Sequence, residues 1–181
     1  MNILITGVNG FIGKHLFSSL KNHNLIGIDL NESDDIIKCD ILDKKNLSKL
    51  FEKNKFDLCI HLASLNNIQE SIDYPKLYYK NILEGTHNLL LECSIYNTKF
   101  IFASTWMVYE TNDNKLNENS LVNPKNTFVS AKLSCEYLVN TFNSSYDIDT
   151  VVLRIFNTYG PGKKYGVVYH FLNKKVYPFP L

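Results

Sequence analysis

The fold is decided by the stretch Asn2-Ile3-Leu4-Ile5-Thr6-Gly7-Val8-Asn9-Gly10-Phe11-Ile12-Gly13. A short apolar run is followed by glycines and then by apolar residues with helical spacing. Gly7 allows a tight turn, Gly10 lets the backbone approach a pyrophosphate, and Gly13 lets a helix pack close to a sheet. A helix that begins after such a turn directs its free N–H groups and its positive dipole end toward a phosphate. The stretch therefore predicts a strand–turn–helix unit that binds a dinucleotide.

The remainder of the chain continues this alternation of strands and helices. Strands are predicted at 2–6, 25–29, 36–39, 58–62, 100–104 and 150–155, and helices at 11–21, 43–53, 75–96, 127–143 and 166–174. Short apolar strands that alternate with amphipathic helices indicate right-handed crossovers and a parallel sheet covered on both faces. The sequence thus predicts a doubly wound α/β fold of the Rossmann type, in which ligands bind outside the carboxyl ends of the strands.

Composition and charge exclude several classes of protein. A chain of 181 residues that is 45% hydrophobic can build one sizeable core. A net charge of +1 gives no electrostatic case for nucleic acid or an anionic membrane. The four cysteines lie far apart without a Cys-x-x-Cys pair, so neither a metal site nor a disulfide framework is indicated. No signal sequence is recognisable and the apolar runs are too short to span a bilayer, so we expect a cytoplasmic protein.

An acidic residue at the end of the second predicted strand supports the dinucleotide hypothesis. Asp29 lies about 20 residues beyond the first glycine, where a carboxylate can accept hydrogen bonds from both ribose hydroxyls. A 2′-phosphate would be repelled there and no arginine follows to offset the repulsion, so NAD is favoured over NADP. Asp29 could instead merely end a strand, but its combination with the glycines favours ribose binding.

Further segments, in a fixed order along nearly the whole chain, carry a family resemblance. After the Thr-Gly-x-x-Gly-x-x-Gly spacing come Cys39-Asp40-Ile41-Leu42-Asp43, His61-Leu62-Ala63-Ser64, Asn81-Ile82-Leu83-Glu84-Gly85-Thr86, Phe102-Ala103-Ser104-Thr105, Glu118, Pro124, Phe128-Val129-Ser130-Ala131-Lys132 and Arg154-Ile155-Phe156-Asn157-Thr158-Tyr159-Gly160-Pro161. These segments resemble the extended short-chain dehydrogenase/reductases, particularly the NAD-dependent sugar-nucleotide epimerase/dehydratase branch. The segment that begins at Asn81 is similar to the family's Asn-x-x-Gly-Thr helix, with one inserted residue.

The resemblance implies which residues bind the ligands. For NAD it implies Gly7, Asn9, Gly10, Phe11, Ile12, Gly13, Asp29, Asp40, Ile41, Leu62, Ala63, Ser64, Asn81, Ser104 and Lys132. For the substrate, a UDP-, dTDP- or GDP-linked sugar, it implies Thr105 and Asn157. It implies no metal ligand.

The resemblance also implies a catalytic helix with a Tyr-x-x-x-Lys pattern, in which Phe128 stands where the tyrosine is expected. In this family the phenolate takes a proton from a sugar hydroxyl while hydride leaves the same carbon for NAD. Lys132 can hold the nicotinamide ribose, and Thr105 can bond the reacting oxygen. Residues 128 and 132 lie one helical turn apart and point the same way. Because loss of a general acid–base typically removes about 10²–10⁴ in rate, we expect impaired chemistry.

Three other tyrosines are candidates for the proton acceptor. The candidates are Tyr109, Tyr137 and Tyr159. Tyr109 matches a family tyrosine that is usually structural, Tyr137 falls on another face of the catalytic helix, and Tyr159 lies in the substrate loop. We therefore expect none of them to replace the missing hydroxyl.

The family's substrate region normally continues well beyond the Tyr-Gly-Pro motif. We therefore expect an NAD-binding domain over 1–160 and the start of a truncated substrate-binding region over 161–181. The run Thr105-Trp106-Met107 lacks the acidic pair that the family's 4,6-dehydratases carry at this place. An epimerase is therefore favoured, and a reductase or decarboxylase stays open.

Three hypotheses about function follow from these observations. The first is an NAD-binding family member with chemistry impaired by Phe128, and the second is an active epimerase or reductase that uses another base or a partner chain. The third is a noncatalytic NAD-binding sensor or scaffold. The resemblance further implies a homodimer formed through the helices at 75–97 and 127–143.

Overall fold

A six-stranded sheet forms the centre of the fold in the computed structural model, which describes residues 1–33, 35–110 and 115–173. Its strands are β1 (Asn2–Thr6), β2 (Asn24–Asp29), β3 (Ile36–Lys38), β4 (Leu58–His61), β5 (Lys99–Thr105) and β6 (Thr150–Ile155). Their order is β3-β2-β1-β4-β5-β6, and every neighbouring pair is parallel. The strand order reverses between β1 and β4, which is the switch point of a doubly wound fold. The predicted fold class is confirmed.

The helices lie close to their predicted positions. They are α1 (Phe11–Ser19), α2 (Lys44–Asn54), α3 (Ile68–Asp73), α4 (Pro75–Tyr79), α5 (Gly85–Tyr96), α6 (Thr127–Tyr146) and α7 (Val167–Leu172), with a π-helical turn at Lys80–Glu84 and a 3₁₀ turn at Trp106–Val108. The bounds of β1 and β6 agree with the prediction, and among the described residues no other end of a predicted element differs by more than three residues. Residue 174, at the end of the last predicted helix, lies outside the described residues.

The sequence predicts neither α3 nor the π-helical turn. The side chain of Asn67 begins α3 by accepting a hydrogen bond from the backbone N–H of Glu70, and six residues are too few to show helical periodicity. The prediction of one regular helix over 75–96 is wrong at Lys80–Glu84, where the turn is π-helical. This turn lies where the family motif has its inserted residue. A π-bulge takes up such an extra residue without ending the helix.

The core is divided between the two faces of the sheet. Because side chains alternate along a strand, Leu4 of β1 contributes to one apolar cluster while Ile3 and Ile5 contribute to the other. The larger cluster includes Phe102 and packs under α2, α5 and α6. The smaller cluster packs under α1. Both faces are therefore covered, as predicted for a parallel sheet of this kind.

The sheet is partly exposed at the edge strand β6. Val151 and Leu153 of β6 and Phe156 just beyond it are exposed. All four cysteines are buried and free. Within the described ranges, no helix has the length and apolar character that would let it cross a bilayer.

Candidate cofactor and active site

A cavity of about 530 Å³ opens at the carboxyl ends of β1, β2, β4 and β5, beside the switch point. The predicted site residues that line it are Gly7, Asn9, Gly10, Phe11, Ile12, Gly13, Asp29, Asp40, Ile41, Leu62, Ala63, Ser64, Asn81, Ser104, Thr105, Phe128 and Lys132. Asn157, the other predicted substrate residue, is exposed and is not among the lining residues. The fold thus brings every residue predicted for the cofactor to one place.

The sequence motifs do not predict some of the residues that line the cavity. They are Ile28, Leu30, Asn31, Cys39, Leu65, Asn66, Ala103, Ile155, Thr158, Lys163 and Tyr165. Most of these are chain neighbours of predicted residues, so a wider margin around each motif would have found them. Thr158, Lys163 and Tyr165 belong to the loop after β6, where no local pattern signals a contact with α1.

The glycine-rich turn is shaped by close backbone contacts. Gly7 has a φ of +70°, and a Cβ there would lie 2.6 Å from the backbone nitrogen of Ala63. A Cβ on Gly13 would lie 2.4 Å from the carbonyl oxygen of Gly7. Among the described residues no side chain caps the start of α1. Its first N–H groups are therefore available to an anion in the cavity.

Two carboxylates lie in the part of the cavity lined by β2 and the loop after β3. Asp29 accepts hydrogen bonds from the backbone N–H groups of Asn9 at 3.0 Å and Asn31 at 3.4 Å, which ties the end of β2 to the glycine-rich turn. Asp40 accepts from the backbone N–H of Leu42 at 2.9 Å. A cavity with a free helix N-terminus and a carboxylate fixed at the end of β2 has the groups that a dinucleotide requires.

A buried hydrogen-bond chain joins the glycine-rich segment and the segment that begins at His61 to α5. The hydroxyl of Thr6 accepts from the backbone N–H of Ala63 at 3.1 Å and lies 2.7 Å from Nδ1 of His61. Nε2 of His61 lies 3.0 Å from the hydroxyl of Thr86, which itself donates to the carbonyl oxygen of Ile82. The Thr86 oxygen therefore accepts from Nε2–H, and Nδ1 accepts from Thr6. Burial lowers the pKa of His61 to about 3, so the ring is neutral and serves as a connector.

The π-helical turn positions two residues of the third family segment. Asn81 lies within this turn, and its side-chain oxygen accepts a hydrogen bond from the backbone N–H of Leu65 at 3.0 Å. Gly85 follows the turn, and a Cβ there would lie 2.4 Å from Cδ1 of Ile41. Both contacts reach residues that line the cavity. The inserted residue therefore leaves the two motif residues in contact with the cavity wall.

The three predicted catalytic positions all line the cavity. The ammonium group of Lys132 donates to the carbonyl oxygen of Ala103 at 2.8 Å, and burial lowers the pKa of Lys132 to about 8. The Thr105 hydroxyl accepts from the backbone N–H of Met107 at 3.3 Å and keeps its own proton to donate. The Phe128 ring is 8% exposed and also packs in the larger core cluster. This part of the cavity has a hydrogen-bond donor and a cation.

A partly buried ion pair lies behind these residues, with the Glu136 side chain 6% exposed and that of Arg154 22% exposed. Glu136, one helical turn after Lys132, accepts from Nη2 of Arg154 at 2.7 Å and from its Nε at 3.0 Å. It also accepts a hydrogen bond from the hydroxyl of Ser104. The carboxylate of Glu136 raises the pKa of Arg154 further above its ordinary value. The pair joins α6, β5 and β6 directly behind the site.

The alternative phenols lie away from the cavity. The ring of Tyr109 is buried, with the Arg154 guanidinium 4.6 Å from its centroid, while Tyr137 and Tyr159 are largely exposed. None of these three lines the cavity. Tyr165 is the one tyrosine among the described lining residues, and it lies beside Lys163.

Comparison with known proteins gives consistent matches. The family model described as "NAD dependent epimerase/dehydratase family" matches residues 3–178. A dTDP-D-glucose 4,6-dehydratase of Dictyostelium discoideum is 34% identical over 191 residues, which cover 88% of this chain and 44% of the relative. The solved structure of Pal from Bacillus thuringiensis has a TM-score of 0.89 at 38% identity, and covers 97% of this chain and 63% of Pal. The UDP-glucose 4-epimerase of Thermus thermophilus in complex with NAD has a TM-score of 0.84 at 25% identity, with coverage of 92% and 58%. The chain thus spans about half the length of its curated relative and under two thirds of these two structures.

Proposed function

Because the chain belongs to the NAD dependent epimerase/dehydratase family, whose cofactor is NAD, we propose that it binds NAD in this cavity and that its chemistry on a sugar nucleotide is impaired. The observation that carries the proposal is Phe128. Its ring lines the cavity one helical turn from Lys132, at the position where the family resemblance implies the proton-accepting tyrosine.

The proposed roles follow from the groups that the residues present. Bound NAD supplies a hydride acceptor. The carboxylate of Asp29 accepts hydrogen bonds from ribose hydroxyls, and the first N–H groups of α1 hold the diphosphate. The ammonium of Lys132 holds the nicotinamide ribose, and the Thr105 hydroxyl donates to the reacting oxygen. Phe128 offers no atom that can accept the substrate proton, so proton transfer lacks its principal base.

A sugar nucleotide is the proposed substrate class, and epimerisation is the reaction we favour. Trp106 and Met107 follow Thr105, where the resemblance implies the acidic pair of a 4,6-dehydratase. A side chain without a titratable proton cannot assist elimination of water. The choice between UDP-, dTDP- and GDP-linked sugars is left to the activity assay below.

A homodimer through α4, α5 and α6 is part of the proposal. Tyr74 and Leu77 beside and within α4, and Tyr137 on α6, are 62%, 47% and 62% exposed. Because α4 packs against α6, these apolar side chains belong to neighbouring helices. Large apolar side chains that are exposed on neighbouring helices favour association. We also propose the cytoplasm as the compartment, since four free, buried thiols suit a reducing environment.

The proposal is tested by comparing the wild type with Phe128→Tyr. NADH binding is measured by quenching of Trp106, which lies next to Thr105, and turnover by epimerisation of UDP- and dTDP-sugars. We expect both proteins to bind NADH with similar affinity. We expect any epimerisation by the wild type to rise about 10²–10⁴-fold in the tyrosine variant.

Phe142→Tyr is the matched control, because Phe142 lies on the same helix, is also buried and does not line the cavity. It should leave turnover unchanged. A wild type that does not bind NADH would refute cofactor binding. A wild type that epimerises as fast as Phe128→Tyr would refute the impaired site and support a different base.

A further inference from the structure

One of the charged side chains that line the cavity has no role in the proposed function. Among the described lining residues, the acidic side chains are Asp29 and Asp40, and the cations are Lys132 and Lys163. The diphosphate of a dinucleotide carries two negative charges, and Lys132 is already engaged by the carbonyl oxygen of Ala103. Lys163 is therefore the lining cation that has no assigned role.

The side chain of Lys163 lies over the start of α1. Its ammonium nitrogen is 4.7 Å from the ring centroid of Phe11, the first residue of that helix. It is also 4.1 Å from the ring centroid of Tyr165 and donates to the hydroxyl of Thr158 at 3.3 Å. These contacts hold the charge close to the helix end where an anion is bound most favourably. Neither ring nor the hydroxyl neutralises it.

The loop that carries Lys163 contacts two residues of α1, His15 and Phe11. Nε2 of His15 lies 2.9 Å from the carbonyl oxygen of Pro161, and a Cβ on Gly160 would lie 3.7 Å from the tip of the Phe11 ring. Within the loop, the backbone N–H of Lys163 donates to the carbonyl oxygen of Gly160 at 3.2 Å. The loop thus rests on the first two turns of α1. Its position beside the glycine-rich turn comes from packing.

We propose that Lys163 binds the diphosphate of the dinucleotide, as a cofactor residue supplied by the loop after β6. This inference rests on the proposed function, since it requires NAD in the cavity. The N–H groups of α1 approach the diphosphate from one side, and the ammonium of Lys163 supplies a full positive charge from the loop. Hydrogen bonds to charged groups are the strong ones, which is why one lysine can change affinity measurably.

A sugar nucleotide also contains a diphosphate, so the experiment must distinguish whether Lys163 binds the diphosphate of the dinucleotide or that of the sugar nucleotide. The contact of Lys163 with Phe11 places it at α1 rather than at Thr105, where the sugar is expected. We therefore assign it to the cofactor. The probes that separate the two sources are NADH and ADP-ribose for the cofactor, UDP for the sugar nucleotide, and adenosine as a ligand without phosphate.

The experiment compares Lys163→Gln with Lys164→Gln, a change at the exposed neighbour that does not line the cavity. Direct NADH titration and displacement by the other probes are measured at fixed salt, and then over a range of salt concentrations. We expect Lys163→Gln to raise the Kd of NADH and ADP-ribose about 10- to 100-fold. Adenosine and UDP binding should not change, and the salt dependence of NADH binding should weaken. Lys164→Gln should behave as the wild type, and Lys163→Arg should retain most of the affinity.

The outcomes separate this inference from the proposed function. A wild type that binds NADH, together with a Lys163→Gln variant of equal affinity, overturns the role of Lys163 alone. A loss confined to UDP assigns the lysine to the sugar nucleotide and also overturns it. A wild type that binds neither NADH nor ADP-ribose refutes the cofactor proposal and this inference together. Thermal unfolding of each variant verifies that the fold is kept.

Discussion

Phe128 and Lys132 show how one face of a helix can serve both core and cavity. The Phe128 ring packs into the larger cluster while it lines the cavity, and its backbone N–H donates to the Ser71 hydroxyl at 3.3 Å. A phenylalanine keeps all of this packing. Under the proposed function, a phenylalanine in place of a tyrosine would remove a titratable group and leave this packing in place, so the position could lose its chemistry while stability is retained.

Lys132 carries a buried charge that should oppose folding. Its pKa in the folded chain is about 8, against an ordinary value of 10.5. Below pH 8 the amine is charged in both states, and the folded chain bears the full desolvation of the ammonium. We expect Lys132→Met to raise the free energy of unfolding at pH 7 by about 1–3 kcal/mol and to abolish NADH binding. Urea unfolding measures the first effect, and Trp106 quenching measures the second.

The effect of Lys132→Met on the free energy of unfolding should depend on pH. Between pH 8 and 10.5 the unfolded chain binds more protons at Lys132 than the folded chain, so wild-type stability rises with pH there. The advantage of Lys132→Met should therefore shrink over this range. Lys14→Met, at an exposed position of α1, should change stability little at either pH. A Lys132→Met variant that is less stable than the wild type at pH 7, or whose gain in stability is the same at pH 7 and pH 10, would contradict the account.

Individual site residues were predictable where a local motif contains them. Gly7 follows β1, and Asp29 and Thr105 are the last residues of β2 and β5, so sequence position alone brings them to the carboxyl edge of a parallel sheet. Lys163 could not be found this way, because its contact with Phe11 joins residues far apart in the chain. Loop conformation depends on such long-range packing, for which a single sequence offers no periodic signal.

At the scale of elements, α6 is held against the sheet by charge as well as by apolar packing. Glu136 is 4% exposed and meets Arg154 of β6 and Ser104 of β5. The π-helical turn before α5 has a related effect, since it keeps Asn81 bonded to Leu65 although the helix contains an extra residue. The sequence showed the insertion, but a pattern of apolar residues does not reveal which helical turn absorbs it.

Removal of Arg154 from its pair with the buried Glu136 should be strongly destabilising. Arg154→Met leaves the Glu136 carboxylate buried without its counter-charge, and we expect a loss of about 3–5 kcal/mol in the free energy of unfolding. Adding Glu136→Leu to that variant should recover much of the loss, because the buried charge is then removed as well. Denaturant unfolding of the single and double variants measures both changes.

Lys99→Met is the matched control for Arg154→Met, because it removes the cation of the exposed ion pair Lys99–Asp149. Its side chains are 60% and 74% exposed, so Lys99→Met should have no detectable effect on unfolding. Arg154→Met and Lys99→Met variants of equal stability would show that burial does not distinguish the two pairs.

At the scale of the whole molecule, the fold was predictable because the apolar pattern, the glycines and the order of strands and helices all indicate the same fold. Apolar runs give the strands, glycines and Asp29 give the first crossover, and alternation with helices requires a parallel sheet. The match of the family model to residues 3–178 confirms the predicted family and its cofactor, NAD.

Association of two copies through α4, α5 and α6 is the prediction that concerns the whole molecule. Leu77 and Tyr137 are exposed on adjacent helices, so burial of both in a symmetric contact would remove apolar surface from water in each copy. We expect the wild type to sediment as a dimer at micromolar concentration and Leu77→Glu/Tyr137→Glu to sediment as a monomer. Val151→Glu is the control, because Val151 is equally apolar and exposed but lies on the face of β6 away from α6, as the packing of Val152 shows. It should remain dimeric. A wild type that stays monomeric, or a dimer lost only in Val151→Glu, would place the association elsewhere or exclude it.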